Sequence, residues 1–309
     1  MEALRVLFHS AIFPGLLFSA LMGLLMMGVR RKLRARLQGR VGPPLLQPLY
    51  DVAKLLCKKT LAPRCHSYTA YVLAPLLSLA SACAAATLTP IGPYAPLRFA
   101  GDLIVVVVLL TASSLMVAIG GFASGNPYAV LGASRLVSML LALELPLALV
   151  LASVALQTGT LSLAVLTRNP VPLGLLNPPA LLAFAVYVMG KLWINPFSVP
   201  SAETEILEGP LVEYGGPRLA LFELAHAVKT YVLASLLIDI FLPLGSLIGG
   251  LAGFAAHVLA CLAVIAVFTL VETVVARLRL DQVLKLYAVY SGLLGVLGLL
   301  LALVWGGVL

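Results

Sequence analysis

Eight apolar runs, each long enough to approach or cross the roughly 30 Å hydrocarbon core of a bilayer, fall at about residues 8–29, 69–90, 102–122, 136–157, 178–194, 218–242, 247–271 and 285–307. In lipid such runs must satisfy their own backbone hydrogen bonds. They are continuously apolar rather than alternating, so helices are expected and a spanning barrel is not. The fifth run is the shortest and opens with Pro178-Pro179, which suits a first helical turn. Only 10% of the 309 residues are charged, against about 25% in soluble domains. The expected fold is an all-α integral membrane protein of about eight transmembrane helices with structured cytoplasmic loops, a single transmembrane domain over residues 1–309. The N-terminus is read as a full span followed by the stop-transfer flank "RRKLRAR", not as a cleavable signal.

The twenty lysines and arginines set the expected orientation. Sixteen fall on one side: ten between residues 30 and 68, then Arg135, Lys191, Arg218, Arg277, Arg279 and Lys285. Arg5, Arg98 and Arg168 fall on the other side, and Lys229 lies inside a helix. Loops at about 30–68, 123–135, 195–217 and 272–284 are therefore expected in the cytoplasm, with both termini outside a cell (inner) membrane. On this reading the net charge of +8 reflects topology and not a nucleic-acid footprint.

The four cysteines, Cys57, Cys65, Cys83 and Cys261, form no CxxC pair, and no His/Cys group has zinc or iron–sulfur spacing. Cys65-His66 is an adjacent pair without partners. The chain is expected to carry no redox centre or metal of its own. It has no GxGxxG or Walker loop, and no internal repeat that would favour an inverted-repeat transporter. Function is thus expected in the cytoplasmic loops and in charges buried between helices.

The first loop contains "GRVGPPLLQPLYDVAKLLCKK", Gly39 to Lys59. Its prolines force turns and extended backbone, and "YDVAKLL" reads as a short amphipathic helix. Such a helix could lie on anionic lipid. With Arg40, Gln47, Asp51 and Lys54 it could also form a docking surface for a soluble partner. The segment Asn195 to Gly216 holds Glu203, Glu205, Glu208 and Glu213 and no Lys or Arg. Four crowded carboxylates would repel one another and could hand protons along; a solvated acidic loop is the plainer alternative. The loop "ARLRLDQVLK" offers Arg277, Arg279 and Asp281, either to a partner or the acidic loop, or as an orientation anchor.

Two charges fall deep within spans. Glu144 lies nine residues past Arg135, about 13 Å along a helix. Lys229 lies eleven residues past Arg218, about 16 Å by the same rise. Groups at such depth face the protein interior or water and mark ion pathways, or else form structural pairs. Glu223, His226 and Thr230 form one polar stripe on the helix of Lys229, which lies at the stripe's margin. His257 is expected as a hydrogen-bonded core histidine, and Asp102 and Asp239 fall near the outer interface without a special role.

In chain order, "GRVGPPLLQPLYDVAKLLCKK", "SGNPYAVLGASRLVSMLLALELPL", "PFSVPSAETEILEGPLVEYGG" and "ARLRLDQVLKL" resemble the membrane subunit that anchors the peripheral arm in respiratory complex I and in energy-converting NiFe-hydrogenase complexes. The resemblance spans about residues 30 to 290 and places Glu144 at that family's intramembrane glutamate. Where the quinone-reducing branch reads "AExNRxPFD", this chain reads "GKLWINPFS": Lys191 replaces the acid, Ile194 the arginine and Ser198 the aspartate, and Ser201 stands where a glutamate is usual. These departures weaken a quinone-reductase reading, whereas "AETEILEGPLVEYGGPRLALFELAHAVK" resembles the hydrogenase branch, including formate hydrogenlyase.

The resemblance implies a subunit without a cofactor, in a redox-driven proton- or sodium-translocating complex. Its partners would be soluble hydrogenase-type large and small subunits, an iron–sulfur subunit and antiporter-like membrane subunits. The NiFe centre and iron–sulfur clusters would lie in those partners. Arg40, Gln47, Asp51, Lys54, Arg277, Arg279 and Asp281 would hold the soluble arm. Electron transfer would shift the loop of Glu203, Glu205, Glu208 and Glu213, and protons would move toward Glu144, Glu223, His226 and Lys229. A complex I-type quinone-binding subunit, a freestanding secondary transporter and a passive anchor are the rival readings.

Overall fold

The computed structural model of the chain describes residues 12–13, 15–60, 67–92, 97, 99–168 and 172–305; the side chains of Glu203, Thr204, Ser246, Leu247 and Trp305 lie outside that description. Arg5, Arg64, Cys65, His66 and Arg98 also fall outside the described residues. The described chain is helical. Its long elements are α1 (Leu16–Leu37), α2 (Gln47–Cys57), α3 (Tyr68–Leu88), α4 (Asp102–Ser124), α5 (Pro127–Thr158), α6 (Pro178–Lys191), α7 (Pro217–Phe241), α8 (Gly250–Val274) and α9 (Leu280–Val304), the last containing a π-turn at Leu286–Ser291.

Six of these, α3, α4, α5, α7, α8 and α9, are long and apolar enough to span a membrane. Helix α1 has the length, but its final turns carry Arg30, Arg31, Lys32, Arg34 and Arg36. Helix α6 has 14 residues, about 21 Å at 1.5 Å per residue, and so stops short of a full crossing. With these two the count of eight agrees with the apolar runs, and α2 is the amphipathic helix expected in the first loop.

The boundaries differ from expectation in two instructive places. Residues 123–135 are not a loop: α5 starts at Pro127, and only Gly125 and Asn126 separate it from α4. Gly125 takes a left-handed φ of 75°, Asn126 caps Tyr128 N–H at 2.9 Å, and Pro127 starts the helix. Residues 30–37 likewise continue α1.

Helix α7 is the axis of the bundle. Of its most apolar stretch, 89% is buried, more than in any other candidate span. It packs against α1, α2, α3, α6 and α8. Lipid is as apolar as leucine, so helices in a membrane associate through close packing and polar contacts. The sequence supplies both. Gly23 of α1 lies where any Cβ would overlap the Ala227 carbonyl of α7. Across α3 and α4, Ser78 and Ser113 each donate to the other's carbonyl at 2.9 Å.

Candidate functional site

The polar residues of α7 open into a cavity of about 320 Å³. Glu223, His226 and Lys229 line one wall, Arg30, Arg31 and Arg34 of α1 another, and Trp193, Ser201 and Glu208 close the remainder. Lys229 is the deepest charge. It is 2% exposed, its Nζ lies 3.4 Å from Ser114 Oγ, and the Trp193 ring faces it at 5.9 Å. No described carboxylate pairs with it. The Trp193 and His226 rings lie 5.8 Å apart. The expected stripe is thus corrected at one position: Lys229 faces the cavity, whereas the Thr230 hydroxyl turns back onto the His226 carbonyl at 2.8 Å.

The second deep charge, Glu144, has a partner that the sequence placed elsewhere. Lys191 Nζ donates to Glu144 Oε1 at 3.1 Å and to Thr111 Oγ1 at 2.8 Å, and Thr111 Oγ1 is 2.9 Å from the same carboxylate oxygen. Lys191 is not a loop anchor. It is the last residue of the short α6, and its side chain is wholly buried. The C-terminal end of α6 adds a favourable dipole. Glu144 departs from expectation in the other direction: its side chain is 38% exposed, beside the exposed Leu141 and Leu145, so it is not sealed inside this chain.

The acidic loop packs, but its carboxylates are dispersed. Glu205 pairs with Arg135, Glu213 accepts from Asn126 Nδ2, and Glu208 lines the cavity, so these three do not form the crowded cluster expected. The Glu203 side chain lies outside the described residues. The loop is seated on α4 and α5 at glycines: a Cβ on Gly132 would lie 2.6 Å from Gly209 Cα, and one on Gly121 would lie 3.0 Å from Pro210 Cβ. Tyr71 of α3 donates to the Glu213 carbonyl at 2.8 Å and stacks on Tyr214 at 4.3 Å. Within this fixed frame Leu207 has φ +58°, a strained conformation for a residue with a Cβ.

The residues expected to dock partners divide into two groups. Arg40, Lys54, Arg279 and Asp281 are exposed. Gln47 and Asp51 are partly exposed and also bonded within the chain: Arg31 donates to Asp51 at 2.7 Å and Gln47 Nε2 at 3.0 Å. Partial burial opposes ionisation of Asp51, but the hydrogen bonds from Arg31 and Gln47 and the charges of Arg31 and Lys54 outweigh it, holding the carboxyl below its usual range. Arg277 donates to Ser198 Oγ at 3.0 Å, and Ser198 in turn contacts the Asn195 side chain. Arg135, Glu205, Arg277 and Arg279 together line a second cavity of about 220 Å³.

One ion cluster was not foreseen. Glu272, near the end of α8 and buried, accepts from Arg30 at 2.8 and 3.0 Å and from Arg34 at 3.2 Å. A planar guanidinium fits a carboxylate bidentately, so this pairing clamps α1 to α8 beside the cavity. The available signal was a lone glutamate ending one apolar run and an arginine ending another. Among the described residues, no group of three or more His, Cys, Asp or Glu could hold a metal ion.

The comparisons agree with this architecture. The NADH dehydrogenase family model matches residues 11–303. An NADH-quinone oxidoreductase subunit of Syntrophotalea carbinolica is 33% identical over 302 residues, covering 90% of each chain. Hydrogenase-4 component C of Escherichia coli is 35% identical over 226 residues, covering 71% of this chain and 70% of that one. Among solved structures, a chain of the membrane-bound sulfane sulfur reductase, an archaeal respiratory membrane complex, superposes with a TM-score of 0.87 at 29% identity, covering 97% of this chain and 99% of that one. A match over nearly the whole length, in both sequence and helix arrangement, shows that the chain belongs to the NADH dehydrogenase subunit 1 family, together with these NADH-quinone oxidoreductase and hydrogenase-4 relatives.

Proposed function

We propose that this chain is the membrane anchor and coupling subunit of a multi-subunit, redox-driven ion-translocating complex of the hydrogenase type. The observation that carries this reading is the cavity whose deepest charge is Lys229, buried without a carboxylate partner among the described residues. A cation held in that way can respond to charge arriving at the cavity's rim, where Glu208 of the acidic loop sits. Electron transfer in the soluble arm would shift that loop, at the strained Leu207, and change the field at Glu223, His226 and Lys229. Protons or sodium ions would redistribute toward Glu144, whose partial exposure leaves it open to an adjoining antiporter-like subunit.

In this reading the chain carries no redox centre. The partners supply the NiFe-type site and the iron–sulfur clusters, and they dock on Arg40, Lys54, Arg279 and Asp281 at the cytoplasmic face. The test is Glu144→Gln in the intact complex reconstituted in vesicles. Ion translocation is expected to collapse while electron transfer from a soluble donor continues. Full translocation at full turnover would end the coupling role.

A quinone-binding role is the second reading, favoured by the relatives named as NADH-quinone oxidoreductase subunits and by the aromatic lining of the cavity, Trp193 and Phe222. Lys191 and Ser198 stand against it, because each replaces an acid of the quinone-reducing branch and is engaged internally. Inhibition of electron transfer by quinone-site blockers would restore it.

A further inference from the structure

Helix α7 carries a second polar group that the cavity does not use. Ser235 and Asp239 are one turn apart on α7, and His257 and Cys261 are one turn apart on α8, so each pair shares a helix face. All four are buried: Ser235, His257 and Cys261 at 0% exposure and Asp239 at 1%. They meet near the end of α7 remote from the arginine-rich loops. Ser235 Oγ is 2.9 Å from Asp239 Oδ2 and 3.0 Å from His257 Nε2, and His257 Nδ1 is 3.4 Å from Asp239 Oδ1.

The hydrogen positions follow from counting donors. Ser235 has one hydroxyl hydrogen. With Asp239 ionised, Ser235 donates to Asp239 and His257 Nε2–H donates to Ser235; with Asp239 protonated at Oδ2 both bonds run the other way, from Asp239 to Ser235 and from Ser235 to His257 Nε2. His257 Nδ1 then faces Asp239 Oδ1 across 3.4 Å. At that separation the two atoms make no hydrogen bond, and Nδ1 is a buried polar atom without a hydrogen-bond partner among the described residues. Charge, however, places one proton on the pair. No described lysine or arginine pairs with either residue, and an uncompensated charge at this depth is costly. With one such proton the pair is neutral, either as acid and imidazole or as carboxylate and imidazolium. The other titratable groups that interact with Asp239 are Tyr231 of α7 and Cys261 of α8, and Pro90 offers a carbonyl 3.3 Å from Ser235.

Backbone packs closely beside the Cβ of His257. A Cβ on Gly245 would lie 3.0 Å from His257 Cβ and 2.9 Å from Gly92 Cα, and a Cβ on Gly253 would overlap the Gly245 carbonyl. Three glycine-bearing segments therefore meet beside the Cβ of His257. Gly249 and Gly250, with φ of 71° and 58°, form the turn that brings two of them together.

We infer that Asp239 and His257 form a proton-holding site in the half of the membrane remote from the charged loops, occupied by one shared proton that exchanges with the adjoining face past the Gly92–Gly245–Gly253 contact. The site rests on the ion-translocating reading for its use, but not for its proton. During exchange the proton leaves the Asp239 carboxyl or the His257 imidazole for water at that face, and an equivalent proton returns, with no other bond made or broken.

The test is infrared difference spectroscopy of the intact complex in lipid nanodiscs, after a pH step and after transfer to heavy water. A protonated-carboxyl or imidazolium band is expected that exchanges with deuterium, disappears in Asp239→Asn, and shifts in His257→Gln. Should Asp239→Asn fail to assemble, His257→Gln and Gly253→Ala carry the test, the latter by an altered exchange rate. A difference spectrum containing only ionised carboxylate, or a band that never exchanges, overturns the site. If the band behaves as expected while Glu144→Gln pumps normally, the site stands and the coupling reading falls. The reverse result removes the site alone.

Discussion

Two buried lysines differ in what surrounds them. Lys191 ends a helix too short to cross the membrane and is held by Glu144 and Thr111. Lys229 sits in the middle of the most buried helix, with a serine hydroxyl and a tryptophan face beside it, at the end of a cavity. The same side chain at comparable burial is thus paired with a carboxylate in one place and has none among the described residues in the other. The difference lies in the neighbours: a carboxylate in reach makes a fixed pair, whereas an ammonium beside a cavity without a described counter-charge is the responsive one on the proposed reading.

The largest effect is expected from breaking the fixed pair. Lys191→Met leaves Glu144 without its cation. Removing one partner of a buried pair costs about 3 kcal/mol or more, and the partial exposure of Glu144 favours the lower end. The complex should dissociate at a lower temperature and translocate poorly. Adding Glu144→Gln should restore assembly but not translocation. If the single variant is as stable as the parent, Lys191 and Glu144 are not a structural unit.

Lys229→Met sharpens the contrast. It strands no described carboxylate, so stability should change by no more than about 1 kcal/mol, since an apolar side chain replaces a buried ion without an orphan. Translocation should nevertheless fall by tenfold or more. A stability loss matching that of Lys191→Met would mean that the two lysines do the same work.

The two lysines also show what the sequence could and could not reveal. Lys229 was legible because a charge eleven residues from Arg218, in a run apolar apart from the stripe of Glu223 and His226, has to face the interior or water. Glu144 was legible in the same way, but its exposed side was not, because a run of leucines does not say which of them face a neighbouring helix. Lys191 was misplaced because "GKLWINPFS" looks like the edge of a loop. Only tertiary packing shows that α6 stops early and carries its last residue inward. The acidic loop failed for the converse reason. Four glutamates close in sequence look crowded, yet the turn at Leu207 and the glycine seats under Gly209 and Pro210 send Glu205, Glu208 and Glu213 to different partners. His257 was read correctly as a hydrogen-bonded histidine, whereas the approach of Asp239 to it was hidden because the two lie on different helices.

The smallest effect concerns the Arg31–Asp51 pairing in the first loop. Arg31 and Asp51 tie α2 to α1 with side chains 43% and 42% exposed. Exposed pairs contribute about 0–1 kcal/mol and are screened by salt. The folded-state carboxyl is held below its usual range, so the contribution is complete above the unfolded aspartate's value, about 3.9, and is lost as pH falls through the lower folded-state value. Amide exchange in α2 should therefore quicken on acidification below that range, more than in α7. Asp51→Asn should remove this pH dependence while leaving α2 seated by Val52 against Leu24, Met27 and Ala220. If Asp51→Asn instead releases α2 at neutral pH, the ion pair and not the apolar face holds the first loop. The contrast between fixed and responsive charges would then have to extend to the protein surface.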